Sequence, residues 1–216
     1  MLQAGVDIGG TKCLGVVIDG AGAVLREERR STPFGPEALL EVLDQLAGAL
    51  APFDSFGVGA AGLVSTDGVW RAAPNVGGVW DFPIRDALVA RLDCPVRVDN
   101  DATCATLAEW QVGAALGATD VVLVTLGTGI GGGMVSGGLL VRGANGFAGE
   151  PGHMVVDPNG PPCVCGRRGC WERFASGSGL ARLAREAATG GRLARVVALA
   201  GDAEAVRGEH VLSAAR

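Results

Sequence analysis

One stretch gathers three of the chain's six cysteines and one of its two histidines. Gly149 to Cys170 reads GEPGHMVVDPNGPPCVCGRRGC, with Glu150, His153 and three cysteines, Cys163, Cys165 and Cys170; Glu172 follows. Thiols and an imidazole at this spacing suit a metal site, a disulfide or a group of plain buried thiols. The N-terminus has no basic stretch and no cleavage site, so a cytoplasmic setting is expected, where thiols stay reduced. That weakens the disulfide and leaves the metal and the buried thiols open.

Two glycine turns could hold anions. DIGGTK, Asp7 to Lys12, lies between two apolar strand-like runs, and a turn of this kind can present successive N–H groups to a phosphate. Gly9 and Gly10 supply the turn, Thr11 a hydroxyl and Lys12 a cation; an ordinary hairpin turn is the plain alternative. TLGTGIGGG, Thr125 to Gly133, has the spacing of a dinucleotide fingerprint, but the following MVSGGLL is strand-like where a helix is required. What remains is a second turn, with Thr125, Gly127, Thr128 and Gly129, suited to phosphate or simply closing a hairpin.

VRVDNDA, Val96 to Ala102, sets Asn100 and Asp101 where a buried strand gives way to a helix. Asp101 can cap that helix, serve as a general base, or do both. A loose phosphoryl-transfer transition state asks for little prior deprotonation of the attacking hydroxyl.

These residues need elements to position them. AGVDI, LGVVI and AVLREER read as strands, and leucines at 39, 43, 46 and 50 mark one face of a helix over Pro36 to Leu50. FGVGAA and PVRVD read as buried strands, Ala102 to Leu116 as a helix, and DVVLVTL, IGGGMVS and LLVRG as further strands. Glu172 to Ala188 reads as one helix with Phe174, Leu180, Leu183 and Ala187 on one side. The result is two packed α/β lobes, 1–116 and 117–216, the second containing the loop 149–172. Cys13, Cys94 and Cys104 are expected in the core, and His210 on the surface without a partner. A hydrophobic share of 48% supports a sizeable core, and a net charge of −5 disfavours nucleic acid. No apolar run approaches a membrane span.

In order along nearly the whole chain, DIGGTK, APNVGGVWDFPIRD, VDNDA, TLGTGIGGG, GEPGH and CVCGRRGCWE resemble the ROK family of sugar kinases and repressors, and within it the actinobacterial-type glucokinases. The resemblance implies an actin-like, ribonuclease-H-like ATPase fold with two lobes around a cleft. It implies transfer of the ATP γ-phosphoryl to the 6-hydroxyl of glucose, with Asp101 as base and Mg²⁺ bridging the phosphates near Asp7. Asn75, Asn100, Glu150, His153 and Glu172 match its sugar contacts, and His153, Cys163, Cys165 and Cys170 its ligands for a structural Zn²⁺. A cytoplasmic homo-oligomer, a dimer, is also implied.

Pro151 and Cys104 depart from the family pattern. Family members also continue past GEHVLSAAR to helices and a loop that holds adenosine. The second lobe is therefore expected to be incomplete, with an uncovered apolar face, measurable glucose binding, poor ATP binding and little kinase activity. An inactive or regulatory sugar-binding homologue, a kinase for fructose, mannose or N-acetylmannosamine, and a polyphosphate donor stand as alternatives. A repressor would carry a DNA-binding segment before the first phosphate motif, which here begins at residue 7.

Overall fold

In the computed structural model, residues 1–73 and 76–216 are described. They group into two compact units, Met1–Val121 with Met134–Ala148, and Val122–Gly133 with Gly149–Arg216. The sequence reading placed one cut near residue 116. The grouping instead returns 134–148 to the first unit, to which it is hydrogen-bonded: among other contacts, Thr66 N donates to Asn145 O (3.3 Å), Gly138 N to Thr119 O (2.8 Å) and Arg142 Nε to Asp99 Oδ2 (2.8 Å).

The first unit begins with β1 (Gln3–Ile8), β2 (Lys12–Ile18), β3 (Val24–Ser31) and α1 (Pro36–Leu50). After these come β4 (Ser55–Ala60), β5 (Leu63–Val64), β6 (Trp70–Ala72), β7 (Trp80–Phe82), α2 (Ile84–Val89), β8 (Val96–Asn100) and α3 (Asp101–Val112). Its main sheet runs β3-β2-β1-β4-β8, antiparallel across the first three strands and parallel from β1 to β8. β5, β6 and β7 form a small antiparallel sheet.

α1 is the helix its leucine spacing predicts, with Pro36 in the first turn and Leu39, Leu43, Leu46 and Leu50 fully buried. Their partners are Val6, Ile8, Phe56, Val58 and Ala60, from the alternating inward positions of β1 and β4. Each buried leucine contributes about 1.5–3 kcal/mol of transfer free energy. Gly15 on β2 admits the helix: a Cβ there would lie 2.7 Å from Leu50 Cδ1. α3 stops at Val112 rather than Leu116, because Gly113 ends it and Leu116 is exposed.

β9 (Val121–Leu126), β10 (Ile130–Ser136) and β11 (Leu139–Leu140) form a three-stranded sheet in the order β11-β10-β9, and the unit boundaries fall within β9 and β10. Of LLVRG only the two leucines are strand. In the second unit, a short 3₁₀ turn, Pro151–His153, precedes α4 (Glu172–Ala175), α5 (Gly177–Thr189), α6 (Ala194–Ala200) and α7 (Gly208–Ala214). The expected single helix over 172–188 is broken at Ser176, whose hydroxyl accepts from Gly179 N (3.0 Å) and so caps a new helix. Its buried face also differs from the expected one: Ala181, Ala184 and Ala188 point inward while Leu183 is exposed. Ala184 and Ala188 pack with Val196 and Val206. Val122, Val124 and Leu126 line one exposed face of β9, the apolar surface the sequence reading anticipated.

Candidate functional site

The first glycine turn joins β1 to β2, and Gly9 N closes it on Lys12 O at 3.0 Å. Among the described residues, neither Gly10 N nor Thr11 N donates to a protein acceptor, and both residues are exposed. These amides are therefore placed as a turn that could receive an anion would need them. Asp7 lies just before the turn. In the register it pairs with Gly59 on β4, which in turn pairs with Asp99 on β8. The first turn of α3 rests over that row: a Cβ on Gly59 would lie 3.5 Å from Asp101 Cα and 3.6 Å from Cys104 Sγ. Asp7 reaches solvent, yet the packing beneath it desolvates its carboxyl and, with the charge of Asp101, holds it above the ordinary range; Lys12 partly offsets this. Two like charges beside an open turn favour a cation there.

At the β8–α3 junction, Asn100 is the helix cap. Its Oδ1 accepts from Thr103 N at 2.9 Å. Asp101, one of the two cap candidates at this junction, is the first helical residue instead. Asn100 Nδ2 donates to Gly62 O (2.9 Å) and to Asp101 Oδ1 (2.9 Å), and Ala102 N donates to the same Oδ1 (2.8 Å). Among the described residues no hydrogen bond reaches Asp101 Oδ2. The carboxylate is thus fixed through one oxygen and presents the other, in the favourable field of a helix N-terminus.

In the second unit, the turn between β9 and β10 is closed by Gly127 N on Gly129 O (3.0 Å), and Gly131 N donates to Thr125 Oγ1 (3.2 Å). The α4–α5 junction docks on it, with Gly177 N donating to Gly127 O (2.8 Å) and Ser178 Oγ to Thr128 O. Glu172 Oε2 accepts from Ile130 N at 2.8 Å and fills the space a Cβ on Gly129 would take. Gly129 is required for that contact. Gly132 has a packing role as well: a Cβ there would lie 2.7 Å from Pro151 Cγ, so the third glycine of the apparent fingerprint admits the 3₁₀ turn.

His153, Cys163, Cys165 and Cys170 converge, their ligand atoms all within 4.8 Å of one another. All six cysteines are free, and Cys165 Sγ to Cys170 Sγ is 3.5 Å, far beyond the roughly 2.05 Å of a disulfide. A tetrahedral zinc with Zn–S near 2.3 Å would set its sulfurs about 3.8 Å apart. The observed 3.5 Å, and 3.6 Å from Cys163 Sγ to His153 Nδ1, fit that set. Burial, then the neighbouring sulfurs, push the Cys170 thiol up to about 12, and a bound cation is what would let it ionise. The loop is knuckle-like, with Cys163 N donating to Arg167 O (2.8 Å), Gly166 N to Cys163 O (3.1 Å) and a bridge between Val155 and Cys170.

The family model described as ROK family matches residues 3–216. The chain belongs to the ROK family. Its fold is accordingly the α/β, actin-like ATPase fold of ROK proteins. A glucokinase of Streptomyces coelicolor is 39% identical over 223 residues, covering 100% of this chain and 70% of that protein. An N-acetylmannosamine kinase of Escherichia fergusonii is 40% identical over 189 residues, covering 86% of this chain and 65% of that protein. The crystal structure of a ROK family glucokinase from Streptomyces griseus, in complex with glucose and AMPPNP, matches with a TM-score of 0.86 at 38% identity, covering 100% of this chain and 71% of that one.

Of the residues matched to the ROK motifs, Asp7 to Lys12, Asn100 and Asp101 lie in the first unit. Thr125 to Gly129, Glu150, His153, Glu172 and the three cysteines lie in the second, and Asn75 lies outside the described residues. Cys13 is buried, but Cys94 and Cys104 are only partly so. Burial, then the charges of Asp99 and Asp101, raise the Cys104 thiol to about 12, so it stays protonated beside the carboxylates. His210 is not unpartnered: Arg207 N donates to its Nδ1 at 3.1 Å. Sequence reasoning missed the Asp99–Arg142 pair, and 43 positions of separation leave no local signal for it.

Proposed function

We propose that this ROK chain is an ATP-dependent sugar kinase acting at the 6-hydroxyl of glucose. The observation that carries the reading is the Asp101 carboxylate, held through Oδ1 by Asn100 and Ala102 with Oδ2 presented. Oδ2 accepts the proton of the sugar hydroxyl as its oxygen attacks the γ-phosphorus, the bond to the β–γ bridging oxygen breaks, and ADP leaves. Asp7, Gly9, Gly10, Thr11 and Lys12, with Thr125, Gly127, Thr128 and Gly129, are assigned to the phosphates. Mg²⁺ bound with ATP spreads the phosphate charge.

Asn75, Asn100, Glu150, His153 and Glu172 are assigned to the sugar. His153 serves two masters because its ring has two nitrogens: Nδ1 faces the sulfurs, leaving Nε2 for a hydroxyl. The Cys₃His set has no open position and suits a structural Zn²⁺ that pins the loop between Glu150 and Glu172. Glucose is favoured over N-acetylmannosamine because the glucokinase relative aligns with all of this chain and the other kinase with 86% of it. A cytoplasmic, dimeric enzyme completes the proposal.

Asp101→Asn tests it. Asn100 remains the cap, so the fold is expected to persist and glucose affinity to change little, while in any form of this protein that turns over, the rate in a coupled assay falls about 10²–10⁴-fold. Activity above about a tenth of the parent would show that Asp101 is not the base.

A further inference from the structure

Thr32, just past β3, belongs to none of the motifs above, yet it holds the first glycine turn at two points. Its Oγ1 donates to Gly9 O at 2.7 Å, and its backbone N donates to Thr11 O at 3.0 Å. A trans peptide plane carries its C=O and its N–H on opposite edges. Drawing Gly9 O toward Thr32 therefore turns the Gly10 N–H to the other side, away from β3. A threonine hydroxyl has one proton to give, and its lone pairs can still accept. The buried Cys13 supplies the complementary donor, with Sγ 3.6 Å from Thr32 Oγ1. Burial keeps Cys13 a thiol, with its proton available to donate. The chain of donors runs Cys13 S–H, Thr32 O–H, Gly9 C=O.

Resting on the kinase reading, we propose that Thr32 is a positioning residue for the nucleotide phosphates, and that Cys13 orients its hydroxyl. Thr32 touches no substrate. It acts by fixing the peptide plane whose N–H faces the phosphate, so that no reorientation is needed when the nucleotide arrives.

The test compares Thr32→Val, which keeps the shape and loses the donor, with Thr32→Ser, which keeps the donor. Titration of the full chain with AMPPNP and Mg²⁺ is expected to show about a tenfold loss of affinity for the valine variant, the scale of one lost hydrogen bond. The serine variant is expected to bind within about twofold of the parent, and glucose affinity to stay level in all three. Cys13→Ala is expected to give a smaller loss in the same direction. Amide NMR of the ligand-free chain gives an arm independent of the nucleotide: the Gly10 and Thr11 resonances are expected to move in Thr32→Val and stay in Thr32→Ser. Unchanged turn resonances in Thr32→Val would overturn the proposal, as would lower thermal stability with unchanged AMPPNP affinity. A parent that binds glucose but no AMPPNP, with the turn still moved by Thr32→Val, would remove the ATP reading and leave Thr32's hold on the turn standing.

Discussion

The two units are held together by different means. The first has a continuous core in which four leucines of α1 close over β1 and β4, with Trp70 and Leu88 fully buried at its margin. The second buries mainly Ala184, Ala188, Val196 and Val206, and sets Val122 and Leu126 in solvent. Small side chains bury little area, so apolar transfer contributes less there. The second unit has instead a closed Cys₃His donor set and many backbone-to-turn hydrogen bonds. A site built on a strong core tolerates the loss of one contact. A site built on such a donor set would depend on the metal it holds.

Metal removal is the sharpest way to break this contrast. Structural zinc sites contribute on the order of 10 kcal/mol or more. Cys170→Ser, or chelation, is expected to remove about one zinc per chain by elemental analysis. Hydrogen exchange over Gly149–Arg216 is then expected to rise toward the unfolded rate while β1, β4 and α1 keep their protection. Equal protection of both units after metal loss would collapse the distinction.

Core truncations sharpen it. Leu43→Ala is expected to cost about 2–5 kcal/mol in denaturant unfolding, and Val206→Ala only about 1.5 kcal/mol. Comparable costs would mean that the second core is stronger than its residues suggest.

The smallest expected effect is a pH dependence. Asp120 accepts from Gly137 N (3.0 Å), Thr119 Oγ1 (3.0 Å) and Ser136 Oγ (3.1 Å), which hold its carboxyl below the ordinary range. A carboxyl lowered in the folded state adds stability above its ordinary value of 3.8, and loses it as pH falls through the lower, folded value. Asp120→Asn is expected to melt slightly lower at pH 7, and the gap to the parent to close in acid. A gap that persists undiminished into strong acid would assign the effect to hydrogen bonding alone.

Elements whose signals are local were legible. α1 followed from leucine spacing and Pro36, and the β1–β2 turn from its two glycines between apolar runs. Boundaries failed where one residue decides. Ser176 followed by glycine was a readable helix start, overridden by an apolar pattern that ran on through it. Asn100 and Asp101 are both good caps, and only geometry separates them. The motif residues of the site were legible as types, but Thr32 and Arg142 were not, because each acts through contacts 23 and 43 positions away.

The division of the chain also sets an order in time. A ribosome delivers residues from the N-terminus, and the first unit cannot close until Ala148 has emerged, since Met134–Ala148 belongs to it. The β9–β10 turn is made before that, while its docking partners at Gly177 and Ser178 are not yet synthesised. At about 5–20 residues per second, roughly two to nine seconds separate Gly133 from Ser178. Through that interval the exposed Val122, Val124 and Leu126 of β9 add to the apolar surface of the emerging chain. The four residues of the Cys₃His set, by contrast, lie close together in sequence, so their loop closes at small entropic cost once Cys170 appears. Zinc capture by that set would precede the packing of α5, α6 and α7, which are synthesised after it.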